Sequence, residues 1–325
     1  MLRDDILYLL TAHSEEVVSG QRISNQLNVT RAAVWKQIKI LREEGFAIEA
    51  QTKNGYRLLK TPLALNEWVF KQALSTQALG RVVDFSDELS STNDRAKELA
   101  RQGALHGLTV LASRQQAGRG RLQRQWESPA GGLWMSVVLR PNLSLADASK
   151  ITLAASVAIV DTVQELFELS IGIKWPNDLI YKGQKLAGIL GEVVGEWNTV
   201  QTLILGIGVN GNFPRKQLNN TFPATTLQEI LGFDIDLNLL AAKILENLER
   251  ELIFLEEKKF DELRSKWTKR AIGLGEGVRI FRGENVIEGV FKGISIDGAL
   301  ILETGNEEIT FSAGEIKLRS KQGYF

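Results

Sequence analysis

The sequence predicts an α+β protein in three parts: an N-terminal winged helix-turn-helix, a central mixed sheet with packed helices, and a small C-terminal antiparallel barrel. Three observations carry this expectation. Apolar residues in the first sixty positions recur at helical spacing and then give way to two alternating runs around Asn54-Gly55. From Asn66 to about Leu274, helical and strand patterns are interleaved. From Gly275 onward, short alternating runs are separated by glycine-rich turns such as Asp297-Gly298. The boundaries read from these shifts are 1–61, 66–274 and 275–325, with Thr61-Pro62-Leu63 as a linker.

In the first part, Ile6, Leu9 and Leu10 give one apolar face. Ser19 precedes a second short helix carrying Ile23 and Leu27, and Asn28-Val29 makes a tight turn. Asn28 suits that turn because asparagine tolerates a left-handed backbone. Thr30 stands where a helix cap belongs. The third helix, about Arg31 to Glu44, places Ala33, Val34, Ile38 and Leu41 on one face and stops at Gly45. It carries Arg31, Lys36, Lys39 and Arg42 with no acid between Thr30 and Arg42. Thr30, Arg31, Trp35, Lys36 and Lys39 are therefore candidates to reach DNA bases and phosphates, with Lys53, Asn54 and Arg57 at the tip of the wing. A solvated basic face, or a winged helix used for protein contacts, is the alternative.

In the second part, helices are expected at 66–75, 93–102, 146–168 and 237–257. Strands are expected at 108–113, 133–139, 171–175, 178–181, 185–194 and 200–209. The 325 residues carry 39 basic and 39 acidic side chains, so polyanion binding requires a local patch. The absence of cysteine excludes disulfides, thiolate metal sites and a cysteine nucleophile. His13 and His106 are the only histidines, which makes a histidine-rich metal site impossible and a Ser-His-Asp triad improbable. The longest apolar run, Ile151 to Val160, falls short of the ~20 residues that span a bilayer. No export segment precedes the first helix, and a cytoplasmic protein without membrane contact is expected.

Four stretches carry chemistry. Gln115 to Trp126 reads Gln-Gln-Ala-Gly-Arg-Gly-Arg-Leu-Gln-Arg-Gln-Trp and contains Arg119, Arg121 and Arg124 with no acid. Gly118 and Gly120 let the backbone approach an anion, and guanidinium forks pair with phosphate and carboxylate oxygens. The loop is neither a Walker A nor a dinucleotide fingerprint. Lys174-Trp175-Pro176-Asn177-Asp178 precedes Lys185-Leu186-Ala187-Gly188, which sets Lys185 at the mouth of a nearly apolar strand. Ser91-Thr92-Asn93-Asp94 reads as a capping box and also as a helix N-terminus that favours polar or anionic groups. Gly206-Ile207-Gly208-Val209-Asn210 closes an apolar strand with room for close approach.

In this order, behind a winged helix, these stretches resemble the bifunctional biotin–protein ligases that also repress the biotin operon. The resemblance spans essentially the whole chain. It implies a ligase that activates biotin with ATP to biotinyl-5'-adenylate and transfers it to a lysine of a carrier protein. Ser91, Thr92, Asn93 and Gln115 would line the biotin pocket. Arg119, Gly120 and Arg121 would close over biotin and adenylate, and Lys185 would contact the biotin carboxylate and the α-phosphate. Gly188, Gly206 and Gly208 would give room at the pocket wall. Arg121, Arg124, Asn210 and Asp178 are the implied adenylate contacts. The substrates implied are biotin and ATP with Mg²⁺ as counter-ion, with no metal held by a dedicated protein site. The partners implied are a biotin carboxyl carrier domain, operator DNA and a ligand-linked second copy, and the C-terminal barrel would be SH3-like. Gln123 departs from the pattern, standing where such loops often carry a third glycine. A lipoate ligase, or a non-catalytic ligand-sensing regulator, remains the alternative.

Overall fold

The computed structural model describes residues 2–51, 54–144, 147–194, 202–218, 223–282, 284–312 and 316–320. Lys53 and the last five residues of the chain lie outside the described residues.

The N-terminal unit consists of α1 (Leu2–Ala12), α2 (Gly20–Leu27), α3 (Arg31–Glu43) and the antiparallel pair β1 (Ala47–Gln51) and β2 (Gly55–Lys60). Local chemistry sets each boundary. Ser19 Oγ accepts from the Arg22 N–H to start α2, and Asn28 ends it with a left-handed backbone at φ 53°. Thr30 Oγ1 accepts from the Ala33 N–H to start α3. Ile6, Leu7, Leu10, Ile23, Val34, Ile38 and Leu41 form the core. Leu7 is fully buried, whereas Leu9 only packs against the core's edge.

The linker is pinned rather than loose. Asn238, at the start of a helix described below, donates to the Pro62 and Ala64 carbonyls at 3.2 and 2.9 Å and accepts from the Asn66 N–H at 2.8 Å. The next helix, α4 (Glu67–Ala73), is capped by Asn66 and sends Trp68 and Val69 back into the N-terminal core. Trp68 meets Tyr8 and Phe46 edge-on. A linker read from composition carries no information about such distant partners.

The central sheet contains β3 (Val83–Leu89), β4 (Thr109–Gln115), β5 (Leu133–Leu139), β6 (Gly172–Lys174), β7 (Asp178–Tyr181), β8 (Gln184–Val194) and β9 (Thr202–Val209). Its order is β3-β4-β5-β9-β8-β7-β6, with only the β3–β4 pair parallel. Between β3 and β4 runs α5 (Thr92–Arg101), and between β5 and β6 runs α6 (Ala148–Phe167). After β9 come α7 (Leu227–Leu231), α8 (Leu237–Glu256) and α9 (Phe260–Thr268). Strand alternation sends Leu111, Met135 and Leu205 toward α6 and α8, while Val110, Val138 and Ile204 meet Ala96 and Ala100 of α5. The sheet is thus covered by helices on both faces.

The final strands are β10 (Gly277–Arg282), β11 (Asn285–Ile294), β12 (Leu300–Thr304), β13 (Glu307–Phe311) and β14 (Ile316–Ser320), in an antiparallel sheet of order β13-β12-β11-β10-β14. Its apolar face merges with the central core, where Phe291 meets Trp267 of α9 edge-on at 6.5 Å. The expected helices and strands are present within a few residues. Three elements go beyond expectation: β3, a half-buried edge strand, and the short helices α7 and α9. No described helix is long and apolar enough to cross a membrane.

Candidate active site

A cavity of about 560 Å³ opens where the β8–β9 floor meets the start of α5, the loop after β4 and the β6–β7 turn. Ser91, Thr92, Asn93, Gln115, Arg119, Gly120, Arg121, Arg124, Asp178, Lys185, Gly188, Gly206, Gly208 and Asn210 all line it. Residues more than a hundred positions apart in the chain are therefore neighbours here.

The arginine loop is shaped by its own backbone. Trp126 N–H donates to the Gly118 carbonyl at 2.8 Å, and Gly120 N–H to the Arg124 carbonyl at 2.8 Å. A Cβ at Gly118 would meet the Trp126 carbonyl oxygen at 2.4 Å, so only glycine fits. Leu122 and Gln123 both have left-handed backbones, at φ 56° and 55°. Each costs roughly 1–2 kcal/mol relative to an ordinary conformation, so a glycine would suit position 123. Gln123 keeps the turn without that relief.

The loop's cations are held in place. Arg119 pairs with Asp94 in the first turn of α5. Arg121 Nη1 donates to Asn177 Oδ1 at 3.3 Å, while Asn177 Nδ2 donates to the Ile189 carbonyl at 2.8 Å. Burial lowers the pKa of Arg121; Asp178 opposes the shift and Arg124 adds to it. Lys185 Nζ lies 2.5 Å from Asp178 Oδ1 and 4.7 Å from the centroid of the Trp126 ring. The cavity lining carries six cationic side chains against Asp178 and Glu127. Such a field suits a ligand with several negative charges.

The floor glycines make room for the protein's own side chains. A Cβ at Gly188 or Gly208 would come within 2.8 Å of the Trp126 ring, and one at Gly206 within 2.3 Å of Asn93 Oδ1. Asn210 donates to the Thr225 carbonyl at 2.9 Å, while its buried Oδ1 has no hydrogen-bond partner among the described residues. At the opposite wall, Thr92 N–H donates to Gln115 Oε1 at 2.7 Å, and Gln115 Nε2 donates to Ser128 Oγ at 2.8 Å.

Several site residues escaped the sequence reading. Trp126, the last residue of the arginine motif, forms part of the wall. Asn177 lay inside a motif already singled out. Lys174 is 2% exposed. Burial first, then Arg319, Lys185 and Arg124, push its pKa down to about 7 against the pull of Asp178. Arg319 reaches the cavity from β14; nothing local marks an arginine of the C-terminal sheet as a site residue.

In the N-terminal unit, Arg31, Lys36 and Lys39 are exposed on α3, and Trp35 is 60% exposed. Thr30 is engaged as the cap, Arg57 pairs with Glu49 at 3.3 Å, and Arg42 turns inward to the Ile48 carbonyl. Lys53 of the wing lies outside the described residues.

Comparison with known proteins agrees with this division. Residues 85–210 match the Biotin/lipoate A/B protein ligase family, residues 3–57 an HTH domain, and residues 273–319 the Biotin protein ligase C terminal domain. The bifunctional ligase/repressor BirA of Bacillus subtilis (strain 168) is 39% identical over 315 residues, covering 95% of each chain. The protein of that name from Escherichia coli (strain K12) is 33% identical over 315 residues, covering 94% of each. A biotin protein ligase from Aquifex aeolicus, solved in complex with biotin and ATP, superposes with a TM-score of 0.64 at 32% identity, over 74% of this chain and 100% of that one. Fold and site define a biotin/lipoate-type ligase core joined to a helix-turn-helix domain. More narrowly, the chain belongs to the bifunctional ligase/repressor BirA family of biotin protein ligases.

Proposed function

We propose that this chain is an ATP-dependent biotin–protein ligase that also represses transcription through its N-terminal domain. One observation carries the enzymatic half: cations from four separate segments converge on one cavity beside a polar wall of Thr92, Asn93 and Gln115. A carboxylate does not acylate an amine at neutral pH, because its leaving group is too poor. ATP removes that barrier. A carboxylate oxygen of biotin attacks the α-phosphorus, the bond to the bridging oxygen breaks, and pyrophosphate leaves. Both reactants are anions, so fixed positive charge must sit where oxygen charge develops. Lys185 is the group for the carboxylate and α-phosphate, oriented by Asp178. Arg119, Arg121 and Arg124 serve the adenylate and shield it from water. The Asn210 Oδ1 acceptor suits an N–H or O–H of the nucleoside.

In the second step, a neutral lysine amine of a carrier protein attacks the acyl carbon and AMP departs with the phosphate oxygen. Mg²⁺ typically binds through one or two carboxylates plus substrate phosphates, and Asp178 is the carboxylate beside Lys185 that would help hold it with the nucleotide. It would neutralise charge on the departing pyrophosphate. In this reading 1–61 binds operator DNA, 66–274 holds both substrates and 275–325 closes the nucleotide side through Arg319. The protein works in the cytoplasm and pairs with a second copy when adenylate is bound, so that two winged helices read two half-sites.

The test is pyrophosphate release from labelled ATP with biotin or lipoate, with and without a biotin carboxyl carrier domain. Release with biotin alone, followed by carrier labelling, is expected. Release with lipoate but not biotin overturns the assignment. No release with either acid leaves only a sensing role.

A further inference from the structure

Between the buried Pro62 and Leu65, the linker that joins the winged helix to the ligase core is held by its backbone. Leu63 is 44% exposed and Ala64 is exposed, so neither side chain anchors the chain there. The Leu63 carbonyl accepts from the Leu237 N–H at 2.9 Å. One side chain, Asn238, engages the Pro62 carbonyl, the Ala64 carbonyl and the Asn66 N–H. Asn238 is fully buried in the first turn of α8. Asparagine is a weak helix former, and a buried amide is costly unless its hydrogen-bond partners are supplied. Three linker groups supply them.

Both sides of this clamp are firm. Asn212 Nδ2 donates to the Ile235 carbonyl at 2.7 Å, and the Ile235 N–H donates back to Asn212 Oδ1 at 2.9 Å. The start of α8 is thereby tied to the segment leaving β9, two residues beyond the cavity residue Asn210. On the other side, α4 sends Trp68 and Val69 into the N-terminal core and Phe70 into the central core. Tyr8 of α1 meets Trp68 edge-on, and its hydroxyl accepts from Gln72 Nε2 at 3.3 Å. The winged helix therefore turns on the ligase core only at the cost of these contacts.

We propose that Asn238 is a positioning residue for DNA recognition: by holding the linker on α8, it fixes the angle of the winged helix and so the half-site separation that a pair of chains reads. The proposal rests on the operator reading above. Two winged helices on one duplex must match the separation and rotation of the two half-sites. With a loose linker, several separations would be read at nearly equal cost. With a clamped one, each wrong separation costs either the clamp or the base contacts. Asn238 thus adds little to the affinity for one half-site and much to the choice among spacings.

The experiment selects duplexes from a random pool with the full chain, biotin and ATP present. The two half-sites of the selected inverted repeat are then moved apart and together in one-base-pair steps. Fluorescence anisotropy reads the affinity for each duplex and for a single half-site. The parent should prefer one spacing and bind poorly two base pairs away, where the half-sites are turned by about 70°. In Asn238→Ala the penalty for that shift should narrow about tenfold, the value of roughly one hydrogen bond. Single-half-site affinity and pyrophosphate release with biotin should stay at the parent values. Tyr8→Ala, a change at an exposed side chain of the same junction, should narrow the penalty by about threefold. An unchanged spacing profile in an Asn238→Ala chain that still releases pyrophosphate, or equal weakening at every spacing, overturns the clamp. If Asn238→Ala does not fold, an unchanged profile in Tyr8→Ala does so. Selection that returns no inverted repeat, or a parent that binds one half-site as tightly as two, overturns the reading of paired winged helices, and the proposal with it.

Discussion

The protein has two cationic surfaces, and they are built in opposite ways. On α3, Arg31 and Lys36 project into solvent from a helix face that contains no acid in its first three turns. In the arginine loop, Arg119 and Arg121 are tied to Asp94 and Asn177, and Lys185 is held against Asp178 over an indole face. Exposed charges act at a distance and are screened by salt, which suits a phosphate backbone read in register. Tethered, partly buried charges lose reach but stand ready before the reaction begins. In the proposed function, the same residue types serve binding in one place and chemistry in the other.

The largest expected effect lies in the tethered set. Lys185→Ala should cut adenylate formation about 100- to 1000-fold, while biotin affinity changes far less. Pyrophosphate release and a biotin titration measure the two quantities. Equal losses in both would mean that Lys185 binds rather than activates, which removes the distinction drawn above.

The exposed set should respond differently. Arg31→Ala with Lys36→Ala should weaken operator binding and flatten the slope of log K against log salt by about 1.8, at ~0.9 per phosphate contact. Adenylation should be unaffected. An unchanged slope would show that α3 does not contact phosphate.

The smallest effect concerns pH. Lys174 is pushed down to about 7 by burial and by neighbouring cations. Nucleotide phosphates nearby would raise it again. A group whose pKa is higher in the complex binds a proton on association, so ATP affinity should be greatest below pH 7 and fall a few-fold as pH rises through about 8. Calorimetry in two buffers of different ionisation enthalpy should detect fractional proton uptake at about pH 8, and Lys174→Met should abolish it. Uptake that survives the substitution assigns the proton elsewhere.

How much was legible in the sequence follows the range of the interactions involved. Asn28, Thr30, Gly45 and Ser91 act within four residues of where they stand, and each does in the fold what its position suggested. The arginines of the loop and Lys185 were legible because they sit in compact motifs. Arg319 was not, because its membership in the cavity depends on how the C-terminal sheet docks on α6 and α9. In the sequence, Ser136 is one polar residue in the apolar run 133–139, and Glu192 is a single acid near the end of the stretch 185–194. Both hydrogen-bond to Asn93 only after β5, β8 and α5 assemble. The floor glycines were read as room for ligand, whereas the structure fills part of that room with Trp126 and Asn93. Helix α9 has apolar residues only at Phe260, Leu263 and Trp267, a sparse stripe in a highly charged stretch.

The most direct test of the converging cations is the fate of the activated intermediate. Parent protein and Arg121→Gly are each given biotin and ATP without a carrier, and biotinyl-adenylate is measured on the protein and in the surrounding solution. The parent should keep the intermediate bound, and the variant should release it into solution. A variant that retains it as tightly as the parent would contradict the account.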